Sequence, residues 1–180
     1  MPKKETVRSM LQAGRHRLAK GRVCEVAKLV QERPRRLSAV VACLFDEDAG
    51  TANRAADVLD RATQRQPRLA ARWKSELLGL MAEAQENKLR WHLALTIGRL
   101  PLTAAEARKA AGILRGWLDD KSSIVKTTAM QGLADLTRHD PSLLAEAIDT
   151  LRILSRSGTP AMRARGRILL KRMERLERTP

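Results

Sequence analysis

Histidine, cysteine and paired carboxylates are the residue types here that could do chemistry, and their spacing decides what chemistry is open to them. A metal ion or a proton relay needs side chains that converge, which on a helix means partners three or four positions apart. His16, His92 and His139 are too far apart for any two to share a helical face. Cys24 and Cys43 match no zinc spacing and read as reduced core thiols on apolar helical stripes. No serine or cysteine stands in a nucleophile elbow. The doublet Asp119-Asp120 sits in a turn ahead of a helix, where the helix dipole already favours negative charge. The expectation is a protein that is not an enzyme and uses no metal or cofactor.

Charge is the stronger functional signal. The formal net charge is +15, and the whole excess falls in residues 1–36 and 152–180, while residues 37–151 carry 15 basic and 15 acidic side chains. Arg163, Arg165, Arg167, Lys171, Arg172 and Arg175 cluster near the C-terminus, and Arg15, Arg17, Lys20, Arg22, Arg33, Arg35 and Arg36 near the N-terminus. Basic side chains on one surface bind phosphates by releasing counterions, without reading bases, so DNA or RNA is the alternative partner. Trp73, Trp91, Trp117 and Phe45 are the only aromatic residues. They offer little for a stacking platform, which makes single-strand binding the weaker form of that alternative.

These residues must be positioned by helices. A block recurs four times, from Leu44 to Leu59, Ala82 to Ile97, Trp117 to Leu133 and Leu154 to Leu170. With Ala129 as the small residue inside the second helix, its equivalents Ala55, Leu93 and Gly166 are spaced 38, 36 and 37 residues apart. Such a period marks stacked helix pairs. Pro34, Pro67, Pro101 and Pro141 punctuate the ends of second helices, because proline cannot continue a helix yet fits the first turn of the next. Thr103 with Glu106 forms a capping box, and Thr159-Pro160 places a cap before a first-turn proline. With one phenylalanine and no tyrosine, strand formers are too sparse for a sheet.

The pattern resembles HEAT repeats, whose signature is an Asp in the inter-helix turn, then Val-Arg six residues later and a small residue. Asp120, Val125-Lys126 and Ala129 match it best. Asp46 lacks the basic partner because Ala52 stands there, and Arg90 and Arg163 lack the Asp because Ala84 and Ser157 do. The resemblance implies an all-α, right-handed superhelix of about four helix pairs behind an N-terminal capping pair, with a structural ladder joining Asp46 to Arg90 and Asp120 to Arg163. It divides the single domain 1–180 into a cap, 1–33, and repeats at 34–67, 68–101, 102–141 and 142–178. Some HEAT-like proteins are DNA glycosylases or bilin lyases, but no motif here carries either activity across.

A helical stack of this kind binds partners on its surface, and the first expectation is a protein partner held by the second helices. Arg54, Asp57, Arg61, Trp91, His92, Thr128, Gln131 and Asp135 are the candidate exposed contacts. Trp73 and Trp117 belong to the core by their helical stripes. The N-terminal Lys3, Lys4, Arg8, Arg15 and Arg17 surround an apolar stripe lacking aromatic anchors, so a membrane partner is not expected. Reduced thiols and the lack of a leader-like apolar run predict a soluble, cytoplasmic protein.

Overall fold

The computed structural model describes residues 5–13 and 20–177. His16, Arg15, Arg17, Lys3 and Lys4 lie outside the described residues. Among the described residues there are ten α-helices and no strand. They follow as five pairs: α1 Val7–Gln12 with α2 Val23–Glu32, α3 Leu37–Cys43 with α4 Ala49–Arg65, α5 Lys74–Glu83 with α6 Asn87–Ile97, α7 Ala104–Gly116 with α8 Ser123–Leu136, and α9 Leu144–Ser157 with α10 Pro160–Glu177.

Local chemistry sets these limits. Asp48 caps α4 by accepting the Thr51 amide at 2.7 Å, which satisfies one of the donors a helix start leaves open. At α7 the expected capping box is present: the Thr103 hydroxyl accepts from the Glu106 amide at 3.2 Å, and Glu106 accepts the Thr103 amide at 2.7 Å. The Thr159 hydroxyl accepts from the Met162 amide at 3.4 Å ahead of α10. Pro34, Pro67 and Pro141 each open a short 3-10 turn at a pair boundary, whereas Pro101 lies in the linker before the Thr103 cap.

Each second helix packs against the next, α2 on α4, α4 on α6, α6 on α8 and α8 on α10, with the first helices on the flank. Small residues allow the closest approach. A β-carbon on Gly132 would sit 2.8 Å from the Ala94 carbonyl oxygen and 2.7 Å from Leu114, so only glycine fits between α6 and α8. One apolar core runs from Val7 to Leu143, with Leu59, Leu77, Met81, Leu93, Leu114 and Trp117 at its centre; a smaller one joins Met130, Ile148, Leu151, Met162, Leu169 and Met173. Trp117 is buried as expected and Trp73 is half-buried against the core, but Cys24 is exposed and only Cys43 is a core thiol. The α2 stripe of Val23, Val26, Ala27 and Val30 fills the core without it. No helix of the described residues is long and apolar enough to cross a membrane.

Candidate functional site

The eight residues expected to form an open face do not do so. Arg54 is 2 % exposed, its guanidinium 3.5 Å from Asp48 and its Nε donating to the Leu11 carbonyl. Asp57 and His92 are also buried. Parallel packing of second helices puts the flank of each helix against its neighbour, and those flank positions are the ones that looked polar and free in the sequence. Arg61 is tied to Asp57 at 2.6 Å, and Gln131 to Asp135 at 2.8 Å. The Thr128 hydroxyl donates to carbonyls of its own helix. Trp91 is half-buried, edge-on to His92 with ring centroids 5.0 Å apart.

His92 belongs to a polar seam between α4 and α6. Its Nδ1 lies 3.1 Å from Asp60 Oδ2, and Arg99 Nη2 donates to Asp60 Oδ1 at 2.6 Å. Burial alone would push the Asp60 carboxyl up, but the hydrogen bond from His92 and the positive charge of Arg99 outweigh it and hold the group below its ordinary value.

The acidic–basic ladder exists but runs the other way. Asp120 pairs with Arg90 of the preceding pair at 2.6 Å, and Asp46 pairs with Arg8 of the cap at 2.6 Å. The expected Asp46–Arg90 and Asp120–Arg163 contacts do not form: Arg163 donates to its own turn at the Gly158 carbonyl, 2.9 Å, and the side chain of Lys126 makes no hydrogen bond or ion pair among the described residues. Both basic residues, Arg8 on α1 and Arg90 on α6, reach forward to the inter-helix turn of the next pair.

On α10 the buried stripe of Met162, Gly166, Leu169 and Met173 leaves Arg163, Arg167 and Lys171 on one exposed face. Arg165 is half-buried, Arg172 reaches back to Asp135 at 2.9 Å, and Arg175 is exposed.

A different basic cluster is more concentrated. Where α4, α6 and α8 end, Arg65, Arg68, Arg99, Arg138 and His139 line one groove of about 640 Å3 with Gln66, Pro67, Leu69 and Pro101, and no carboxylate is among its lining residues. The side chains of Arg65 and Arg68 are exposed and make no hydrogen bond or ion pair among the described residues. Arg138 donates to the Gly98 carbonyl, and His139 Nε2 lies 3.2 Å from the same oxygen. Burial holds His139 below its ordinary imidazole value despite that carbonyl. Counting charge along the chain hid this site, because residues 37–151 sum to zero. In space the sum separates: Asp57, Asp60 and Asp140 are buried, and the guanidinium groups are left at the rim. The sequence did carry a signal, an arginine recurring just ahead of each of the four boundary prolines, in Arg33-Pro34, Arg65-Gln66-Pro67, Arg99-Leu100-Pro101 and Arg138-His139-Asp140-Pro141.

Comparison with protein-family models, with curated proteins and with solved structures found no match. Among the described residues no group of three or more His, Cys, Asp or Glu is placed to hold a metal ion. Fold and site define an all-helical stack of paired helices with an arginine-lined groove at its rim.

Proposed function

We propose that the chain is a non-catalytic binding module, a HEAT-like solenoid, that takes nucleic acid through its phosphates without sequence preference. The observation that carries this reading is the convergence of Arg65, Arg68 and Arg138, beside the Asp60-paired Arg99, from three successive boundaries into one groove with no lining carboxylate. Guanidinium groups suit phosphate because their planar fork donates two parallel hydrogen bonds and keeps its charge at any working pH. Arg33, Arg35 and Arg36 stand at the equivalent place one boundary earlier, where they line a smaller groove with Pro34. The rim is thus basic over several repeats, and the charge of α10 adds long-range attraction.

The test is anisotropy of a labelled oligonucleotide between about 50 and 200 mM salt. Binding is expected at the lower salt, falling more than about tenfold at the higher. No binding at the lower salt sinks the reading. A protein partner is the second reading, favoured by one observation: exposed Ile124 lies beside half-buried Trp91 in a groove that also holds Lys20, Asp57, Glu86 and Lys88. It predicts a partner whose binding is lost in I124E and is insensitive to salt.

A further inference from the structure

We propose that the rim groove receives one unstacked nucleotide, its base against Pro67, Leu69 and Pro101 and its phosphates on Arg65, Arg68 and Arg138, so that single strands bind in preference to duplex. This inference rests on the nucleic-acid reading and assigns the form of its ligand.

The groove is more than a charged surface. Its lining alternates guanidinium groups with apolar side chains, and Leu69 packs against the main core, which fixes that wall in place. At about 640 Å3 it lies inside the range of roughly 300–1,000 Å3 typical of sites that enclose a small ligand. A duplex offers phosphates and sugars on a convex surface, so its contact with the rim would leave Pro67, Leu69 and Pro101 uncovered. An unpaired nucleotide fills both parts, placing an apolar, flat base on the floor and charge at the rim. Scarcity of aromatic residues is no obstacle, since unstacked bases also lie on arginine guanidinium planes. Here Pro67, Leu69 and Pro101 supply the surface for the base, and the exposed, unpaired side chain of Arg68 stays available to the phosphates.

The other groups in the groove divide the work. Arg99 is held by Asp60 at 2.6 Å, so it is a fixed wall with little net charge to give, while Arg65 and Arg68 keep theirs for the ligand. His139 faces the Gly98 carbonyl through Nε2, so that nitrogen carries the proton and donates. With its pKa held below the ordinary value the ring is neutral near pH 7, and Nδ1 keeps a lone pair. His139 thus adds no charge to the groove near pH 7 and leaves the phosphates to the guanidinium groups.

A free nucleotide and a strand share this chemistry, so the experiment separates them. Anisotropy at about 50 mM salt compares equal lengths of an unstructured single strand, the same strand without bases, and the annealed duplex. The single strand is expected to bind about tenfold tighter than either of the others, in line with one stacked base. Equal binding of all three, with salt dependence and sensitivity to R65E/R68E intact, overturns the nucleotide inference and leaves the phosphate-binding function standing. Absence of salt-dependent binding to every probe overturns both. Adenosine monophosphate binding as tightly as the strand overturns the strand assignment in favour of a free nucleotide. Arg65 and Arg68 are exposed, so their reversal is expected to leave helicity and melting temperature unchanged.

Discussion

Arg90 Nη1 meets Asp120 Oδ2 at 2.6 Å across the boundary between the third and fourth helix pairs, and the pair has no counterpart at the boundaries on either side. The equivalent positions hold Ala52 and Ala84 at the boundary before it, and Lys126 and Ser157 at the one after. Where the ladder is missing, other polar contacts close the gap: Asp60 with His92 and Arg99 before, and Ser123 with Thr159 at 2.7 Å and Arg172 with Asp135 after. Neighbouring boundaries therefore use different polar glue over a common apolar packing.

Asp120 also accepts the Ser122 amide at 2.7 Å, so its removal opens both the boundary and the start of α8. Its side chain is 4 % exposed against 21 % for Arg90, which places the pair between buried and surface cases. D120A is expected to cost about 2–3 kcal/mol in urea unfolding. A loss under about 1 kcal/mol would mean that packing alone holds this boundary. D46A is expected to cost less, because Arg8 is largely exposed.

Glycine substitutions separate close packing from helix propensity. Alanine is favoured over glycine within a helix by about 1 kcal/mol, so an open site should gain stability. Nothing lies within 4 Å of a β-carbon built on Gly112, and G112A is expected to stabilise by about 0.5–1 kcal/mol. At Gly132 the same methyl meets backbone and Leu114, and G132A is expected to destabilise by about 1–3 kcal/mol. Thermal melts of the two variants moving in the same direction would refute the close approach of α6 and α8.

Legibility from the sequence followed the range of the interaction. The pair boundaries were legible because prolines and caps act within a few residues, as the Thr103–Glu106 box does. The core was legible through its 3.6-residue stripes. Arg54 and His92 were misplaced because their burial depends on partners distant in sequence, Leu11 of α1 for Arg54 and Asp60 of α4 for His92, which polar identity does not announce. Asp46, Arg90 and Asp120 were identified as ladder residues but Arg8 was not, and the direction was missed, since spacing gives the distance between Asp and Arg without saying which neighbour is closer. The groove was missed for a related reason: net charge adds buried carboxylates to exposed guanidinium groups as though they shared a surface.

Asp60 sets a pH dependence whose sign follows from its lowered carboxyl. A group whose folded value is below its unfolded one contributes stability above the unfolded value, and loses it as pH falls through the folded value. The Asp60 contribution is therefore complete above its ordinary 3.8 and fades below it. His139, also lowered, gives a loss in the same direction that begins as pH falls below 6.5. The urea midpoint is expected to fall in two stages on acidification, and the gap between the wild-type chain and D60N to close below about pH 4. A gap that persists undiminished at about pH 3 would show that the carboxylate charge is not what Arg99 and His92 use.

Two double reversals decide where nucleic acid sits. R65E/R68E acts in the groove and R167E/K171E on the outer face of α10; all four side chains are exposed and without hydrogen bonds or ion pairs. Both variants change net charge equally, so long-range attraction weakens alike in each and the difference between them isolates direct contact. Phosphate contacts set the salt slope, and losing two of them is expected to lower that slope by about 2 and to weaken binding by more than about tenfold. That outcome is expected for the groove variant, with less than about a threefold change for α10. The reverse order would move the contact to the terminal helix, where the chain's charge is densest in sequence, and would make the groove a by-product of how the boundary arginines pack.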